Sequence, residues 1–204
     1  MSNFTDNSPI AATPTITGSP VIDTTTKLYG AGSYSHSYAL TTAYVSYPSN
    51  ASYVLDGDFT VEFAAKFSST VGANNAYILQ IWSITDAWTD SIYCISNGVN
   101  LLSLACTFGN KSSITIDNSL DTTTWHQYAI TRSGTDLYTF KDGTLVTHSA
   151  GASTTAGRNN GIIHVPSRTL YYSAPANIDD IRITKGVCRY TSVYTPRTRA
   201  FPNS

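Results

Sequence analysis

Two aspartates flank a tryptophan in this chain, and that spacing suits recognition of a sugar. An exposed Trp88 indole can stack on the apolar face of a sugar ring, while Asp86 and Asp90 accept hydrogen bonds from hydroxyls. The two carboxylates can instead hold calcium, which prefers carboxylate oxygens. A third interpretation is a loop that only tucks Trp88 over the edge of the core. Tyr171 and Tyr172 are a second candidate for glycan contact, with strand packing as the alternative.

Hydrolysis of a glycosidic bond needs two carboxyl groups that flank the scissile bond. Glu62 is the only glutamate in the chain, and its neighbours on the same face, Thr60 and Ala64, carry no carboxylate. Asp179 and Asp180 are adjacent, so a strand is expected to point them to opposite faces. No G-x-S-x-G nucleophile elbow is present, and the histidines are scattered: His36, His126, His148 and His164. We therefore predict that the chain is not an enzyme.

Asp179 shares a predicted strand face with Ile181 and Ile183, so its carboxylate is expected to be buried. A buried carboxylate is unfavourable unless it is hydrogen-bonded. We expect Asp179 to cap a neighbouring turn through backbone N–H groups, and a metal-ligand role is the alternative.

The charge balance argues against a nucleic-acid partner. The formal net charge is −1, and charged residues make up 12% of the chain, against about 25% in typical proteins. The basic residues gather near the C-terminus: Arg182, Lys185, Arg189, Arg197 and Arg199. We interpret this basic cluster as a solvated face. The first residues lack a signal-peptide pattern, and no apolar run approaches the roughly 20 residues that span a bilayer.

The elements that must position these groups are predicted to be strands. In residues 59–67, phenylalanines alternate with Thr60, Glu62, Ala64 and Lys66, which places the aromatic rings in a core and the Glu62/Lys66 pair in solvent. Residues 77–84 are apolar on both faces, as expected of a central strand.

Turn signals punctuate these strands at intervals typical of a sandwich or barrel. Asp142-Gly143, between two alternating runs, predicts a tight hairpin. Ser96-Asn97-Gly98 separates two further strands, across which Cys94 and Cys106 either face each other or remain buried free thiols. We predict an N-terminal arm or irregular edge segment over residues 1–20 and one β-sandwich over residues 21–204.

Four segments, in this order, resemble a known family: residues 27–34, 55–63, 125–143 and 178–190. They resemble the laminin-G-like, concanavalin A-like lectin/glucanase domain over about residues 20–204. The last segment, with Tyr194-Thr195-Pro196 and Phe201-Pro202 after it, is similar to versions in tailed-phage virion proteins. The resemblance implies an all-β, antiparallel two-sheet jelly-roll sandwich in which Trp125 is a packing residue at a strand start. Laminarinase-like relatives carry E-x-D-x-x-E on one strand, a motif that is absent here.

The resemblance and the composition together favour a non-enzymatic virion structural protein, either a capsid decoration or a tail-associated subunit. Such a protein is made in the host cytoplasm without a signal peptide, and its partners are other virion proteins and further copies of itself. The 1–20 segment is then its natural contact. The alternative is a carbohydrate-binding adhesion module of a tail fibre or surface protein, with cell-surface glycans as partners. A glycoside hydrolase is the least favoured hypothesis, and neither nucleic-acid binding nor membrane insertion is expected.

Overall fold

A computed structural model gives the fold of the chain. It describes residues 4–37, 39–40, 42–68, 76–82, 92–96, 104–108, 111–152, 161–166 and 172–202. The strands are, in chain order, β1 (Thr15–Thr17), β2 (Val21–Asp23), β3 (Ser33–His36), β4 (Ala39–Leu40), β5 (Tyr44–Tyr47), β6 (Phe59–Phe67), β7 (Ala76–Trp82), β8 (Ile92–Ser96), β9 (Leu104–Phe108), β10 (Lys111–Asp117), β11 (His126–Ser133), β12 (Asp136–Lys141), β13 (Thr144–Ser149), β14 (Ile162–Val165), β15 (Tyr172–Ser173) and β16 (Ala176–Lys185). A single 3-10 turn, Ala51–Tyr53, is the only helix among these residues, and none of them forms a helix able to cross a membrane.

The strands form two sheets that pack face to face, as the sequence predicts. One sheet has the order β13-β12-β11-β6-β16-β3-β2. The other follows β1-β5-β14-β7-β8-β9-β10, with β15 and β4 attached beside β7. Within the described residues every pairing is antiparallel except that of β15 with β7. The all-β two-sheet sandwich is therefore confirmed.

The phenylalanine face of β6 forms the centre of the hydrophobic core. Phe59, Phe63 and Phe67 are all buried, and they pack with Leu79 and Ile163 of the other sheet in one apolar cluster. Full burial of each such side chain contributes about 1.5–3 kcal/mol to folding. The opposite side of the seven-stranded sheet, which carries Thr60, Glu62 and Ala64, is called the outer face below.

The central position of β7 and the register of the β8–β9 pairing agree with two further expectations. Strand β7 lies between β14 and β8 and is buried from Ala76 to Ile81, as predicted for residues covered on both sides. In the β8–β9 pairing, Cys94 lies directly opposite Cys106, so their backbones face each other across the two strands. Trp125 precedes β11 directly and is half-buried.

A tight turn at Asp142-Gly143 joins β12 to β13, which confirms the predicted hairpin. Both residues have positive φ, +49° and +75°, as a two-residue hairpin turn of type I′ requires. A Cβ atom at Gly143 would lie 2.0 Å from the Tyr194 carbonyl oxygen, so the glycine also permits close approach of the chain near the C-terminus.

A β-bulge in β16 changes the direction of two aspartates. Asp179 pairs with Ala64 and Arg182 with Glu62, so Asp180 and Ile181 together oppose a single residue of β6. Asp180 has a φ of +56°, in the left-handed region that only a minority of non-glycine residues adopt. Because of this extra residue, Asp179 lies on the outer face, whereas Ile181 packs against the core. The expectation that they share a face is therefore wrong.

The bulge also explains how both aspartates are satisfied. Asp179 accepts hydrogen bonds from the backbone N–H groups of Leu28 and Tyr29, at 3.2 and 2.9 Å, which confirms the predicted turn cap. Asp180 accepts from the backbone N–H of Phe201 at 2.8 Å. Both carboxylates hold segments on the outer side of the sheet, so the expectation that they point to opposite faces is wrong. Burial raises the pKa of Asp179, and the two backbone donors oppose that shift.

Residues 4–20 pack along the sandwich. Phe4 contacts Tyr34 edge to face, with ring centroids 5.2 Å apart, and its carbonyl accepts a hydrogen bond from the Tyr47 hydroxyl. Strand β1 pairs with β5 and occupies the edge of its sheet, with Ile16 half exposed.

Candidate functional site

Most of the glycan-contact residues predicted from sequence fall outside the described part of the chain. Asp86, Trp88, Asp90 and Tyr171 all belong to that group, and with them the predicted calcium site. Tyr172 is described: it lies in β15, opposite Leu40 and Ala76, and its half-buried ring packs against the hydrophobic core. Among the described residues, no group of three or more histidine, cysteine or acidic side chains is placed to hold a metal ion.

A different site lies where residues 187–202, here called the C-terminal segment, cross the outer face. These residues form no strand, so their backbone groups need partners from elsewhere. The Thr60 and Thr131 hydroxyls donate to the carbonyls of Val187 and Tyr190, at 2.8 and 2.6 Å. The Tyr194 N–H in turn donates to the Gly143 carbonyl at 3.0 Å. Side chains of the sheet thus fasten a segment without secondary structure onto the outer face.

Glu62 lies beneath this segment and is only 4% exposed. Its Oε2 accepts two hydrogen bonds from the Arg182 guanidinium, at 2.8 and 2.6 Å, and Arg189 lies 3.9 Å away. Its Oε1 accepts from the Tyr190 hydroxyl at 3.0 Å. The predicted alternation along β6 is right, but the expectation that Glu62 and Lys66 both face solvent is wrong for Glu62, because the C-terminal segment covers it.

Aromatic rings of the C-terminal segment pack above the same face. Tyr190 and Tyr194 stack with ring centroids 3.6 Å apart, and both contact the buried Phe140 edge to face. Burial raises the pKa of the Tyr194 hydroxyl, and burial together with the Glu62 charge raises that of Tyr190. Both phenols are therefore neutral donors at physiological pH.

Phe201 anchors the far end of the segment between two arginines. The guanidinium carbons of Arg182 and Arg197 lie 3.7 and 3.8 Å from its ring centroid. Two guanidinium groups cannot share one ring face at that distance, so they lie on opposite faces. Arg197 is also 3.2 Å from Asp180, and its carbonyl accepts hydrogen bonds from Gln127 and Tyr29. Each cation–π contact contributes about 0.5–2 kcal/mol.

The predicted solvated face is therefore wrong for part of the basic cluster. The side chains of Arg182 and Arg197 are 27% and 17% exposed and are held in ion pairs and ring contacts. Arg199 is exposed, and it makes no hydrogen bond, ion pair or ring contact with the described part of the chain. In the sequence, arginines and aromatic residues are interspersed over residues 182–201, but they have no period of two or 3.6 that would reveal packing.

A pocket of about 200 Å³ remains between the C-terminal segment and the outer face, and we call it the arginine pocket. It is lined by Glu62, Gln127, Tyr128, Arg182, Tyr190, Tyr194, Thr195, Arg197, Arg199, Ala200, Phe201 and Pro202. This volume is below the roughly 300–1,000 Å³ of pockets for drug-sized ligands, so it suits a single sugar residue or a smaller group. Guanidinium, amide and phenol groups line it, and several of their donors are already engaged. Arg182 and Tyr190 donate to Glu62, and Gln127 donates to the Arg197 carbonyl.

A second polar cluster surrounds His126, which the sequence showed only as an isolated histidine. Its Nδ1 lies 2.5 Å from the Asp142 carboxylate, and its Nε2 lies 3.1 Å from the Thr124 hydroxyl. That hydroxyl donates to Asp121, which also caps its own turn through the Thr123 N–H. Because the Thr124 proton is engaged by Asp121, the cluster ties a loop to the β12–β13 hairpin and does not present a free nucleophile.

Solved structures share this fold at low sequence identity. The carbohydrate esterase vb_24B_21 of the Shiga toxin-encoding bacteriophage phi24B is 12% identical, with a TM-score of 0.58 over 87% of this chain and 92% of its own. Domain 4 of AbnA, a GH43 extracellular arabinanase from Geobacillus stearothermophilus, solved with arabinotriose, is also 12% identical, with a TM-score of 0.63 over 86% and 83%. Botulinum neurotoxin type C, whose cell entry depends on two ganglioside molecules, is 14% identical, with a TM-score of 0.60 over 85% and 43%.

These identities establish a common fold and nothing finer, because one fold carries many functions. A search of curated protein sequences found no match. The family model for concanavalin A-like lectin/glucanases matches residues 39–190, about three quarters of the chain. The chain therefore belongs to the concanavalin A-like lectin/glucanases superfamily, and its last residues, which complete the arginine pocket, lie beyond the matched region.

Proposed function

We propose that the chain is a non-enzymatic, glycan-binding structural subunit of a virus particle. The observation that carries the binding role is the arginine pocket, a recess on the outer face of a lectin-like sandwich that is lined by three guanidinium groups, one of them the exposed Arg199. The solved structures with this fold include one bound to arabinotriose and one whose cell entry depends on gangliosides, which supports glycans as the ligand class.

The environment of Glu62 favours binding over hydrolysis. A general acid must carry a proton that it can give to the leaving group, and a nucleophile must reach the anomeric carbon. The two Glu62 oxygens are instead engaged by Arg182 and Tyr190 beneath the C-terminal segment. The chain has no second glutamate to complete a pair on this strand.

The virion role is supported by two features. The segment 178–190 with the residues after it is similar to tailed-phage virion proteins, and a phage esterase shares the fold. Strand β1 leaves one sheet edge without a neighbour among the described residues, and such an edge can pair with a strand of another subunit. Its half-exposed Ile16 adds apolar area to that contact.

A glycan array with the purified chain tests the binding role. Thr195 is exposed and lines the pocket, so Thr195→Trp should fill the recess without disturbing the core. Ser192→Trp, at an exposed position outside the lining, is the matched control. We expect binding that Thr195→Trp abolishes and Ser192→Trp retains. Absence of binding to any glycan would contradict the proposal, and reducing-sugar release that Glu62→Gln abolishes would contradict the non-enzymatic part.

The virion role has its own experiment. Mass spectrometry of purified particles, with immunogold labelling of intact ones, should detect the chain on the head or the tail. Particles that lack the chain would refute this part of the proposal and leave the glycan-binding part standing.

Trp88 is proposed as a further glycan contact, with Asp86 and Asp90 as hydroxyl acceptors or calcium ligands. Tyr171 and Tyr172 belong to the same proposal. Trp88→Ala, assayed on the array with calcium and with chelator, should weaken glycan binding, and unchanged binding in both conditions would argue against it.

A further inference from the structure

We propose that the arginine pocket recognises an oxyanion carried by a saccharide, such as the carboxylate of an acidic sugar or a sulfate ester. This inference rests on the proposed glycan-binding function and names the ligand class of that site. Its basis is the excess of positive charge that the pocket gathers in a chain whose formal net charge is −1.

The charge count of the lining comes first. Three arginines and one glutamate line the pocket, so the lining itself carries a formal charge of +2. The single carboxylate is shared, because Glu62 accepts from Arg182 and also lies 3.9 Å from Arg189 outside the lining. The Asp180 carboxylate lies 3.2 Å from the Arg197 guanidinium and offsets its positive charge. Arg199 is left without a carboxylate partner in the described structure.

The geometry makes Arg199 the group available to a ligand. Arg182 and Arg197 are held against Phe201 and their carboxylates, which keeps their positive charge beside the pocket. Two Arg182 donors are engaged by Glu62. The Nε of Arg197 donates to Asp180, whereas the buried Nη2 of Arg197 makes no hydrogen bond with the described residues. Arg199 is exposed at the pocket and has all its donors open to a ligand. A guanidinium binds a carboxylate or sulfate through two parallel hydrogen bonds, a geometry that a hydroxyl cannot match.

The saccharide part of the ligand follows from the remaining lining. Gln127 and Thr195 offer neutral polar groups, and the stacked Tyr190 and Tyr194 rings contribute aromatic surface. A volume of about 200 Å³ admits one sugar residue but excludes a folded partner or a helix. An anionic sugar matches the pocket in three respects: its negative charge suits the arginines, its hydroxyls suit the neutral polar groups, and its size suits the volume.

Calorimetric titration with paired sugars tests the inference. The probes are galacturonate, its methyl ester and galactose 6-sulfate, each against the full chain and against Arg199→Gln. Lys66→Gln is the control, because it removes the same charge from the same sheet at a position outside the lining. We expect at least one of the two anions to bind roughly tenfold or more tightly than the ester, and Arg199→Gln to lose about tenfold in affinity for it. Lys66→Gln should bind like the unaltered chain.

The two anions distinguish the source of the charge, since binding of the sulfate alone or of galacturonate alone identifies the group preferred. If neither anion binds more tightly than the ester, or if Arg199→Gln keeps its affinity for the anion that binds, the inference is overturned while glycan binding on the array stands. Failure of all three probes together with a blank array would overturn both the inference and the proposed function. Rising salt should weaken binding of the anions and leave that of the ester unchanged.

Discussion

The Glu62 carboxylate and the Arg182 guanidinium, on the adjacent strands β6 and β16, lie 2.6 Å apart beneath the C-terminal segment. Removing one partner of such a pair leaves an uncompensated charge in a covered site. We expect Arg182→Met to lower the free energy of unfolding by about 3 kcal/mol, at the lower end of the usual range because Arg189 remains nearby. The double variant Glu62→Gln/Arg182→Met should recover most of that loss in urea denaturation. A single variant as stable as the unaltered chain would contradict this role for the pair.

Gly143 is expected to be sensitive to a single methyl group. Its φ of +75° disfavours any other residue by about 1–2 kcal/mol, and a Cβ there would also meet the Tyr194 carbonyl. Gly134→Ala is the matched control, because its φ is +58° and the space around it is open. We expect Gly143→Ala to be clearly more destabilising than Gly134→Ala in thermal denaturation. Equal losses would show that the contact with Tyr194 contributes nothing.

Phe201 should control how firmly the C-terminal segment is held. Phe201→Ala removes the ring that lies between Arg182 and Arg197, so local opening of the segment becomes more frequent. Trypsin cleavage after Arg197 or Arg199 should then accelerate by about tenfold or more, as expected from the loss of two cation–π contacts and of apolar burial. Val193→Ala, at a side chain 70% exposed, is the control and should be cleaved at the original rate. Unchanged cleavage of Phe201→Ala would refute the anchoring role.

His36 gives the fold a predictable response to acid. Burial lowers its pKa from 6.5 to about 4, so between those values the unfolded chain takes up a proton that the folded chain does not. The free energy of unfolding should therefore fall as the pH decreases from about 6.5 to about 4, with no further contribution below that. His36→Gln should flatten this part of the stability profile, measured by denaturant unfolding at each pH. His148→Gln, at an exposed histidine beside Asp136, should keep the slope. An identical slope in His36→Gln would exclude this origin.

The sandwich was predictable because its core follows a period of two. The alternation of Phe59, Phe63 and Phe67 with polar residues is a local signal, and so is Asp142-Gly143 at a hairpin. Burial of Glu62 was not predictable in the same way. Its neighbours along β6 describe which face it occupies, but the groups that cover it are more than 100 residues away in the chain.

The candidate site was even less predictable from local residue patterns than the burial of Glu62. The bulge at Asp180 shifts the alternation of β16 by one residue, and no residue type at Asp179 or Asp180 indicates a bulge in the sequence. The C-terminal segment has no regular period, so the basic cluster is predicted to be solvated, whereas Arg182 of β16 and Arg197 of the segment both contact the Phe201 ring. Contacts between an irregular segment and a sheet depend on tertiary packing alone, which a pattern of residue types does not encode.

The family match ends at residue 190, whereas seven of the twelve residues that line the pocket come after that point. The sandwich, which is shared across the superfamily, forms the floor of this recess, and the C-terminal segment forms its roof. Substitutions at exposed positions of the roof, such as Thr195 and Arg199, should therefore change the recess without altering the core of the sandwich. Replacing the C-terminal segment with another sequence on the same sandwich should therefore change which ligand the pocket binds.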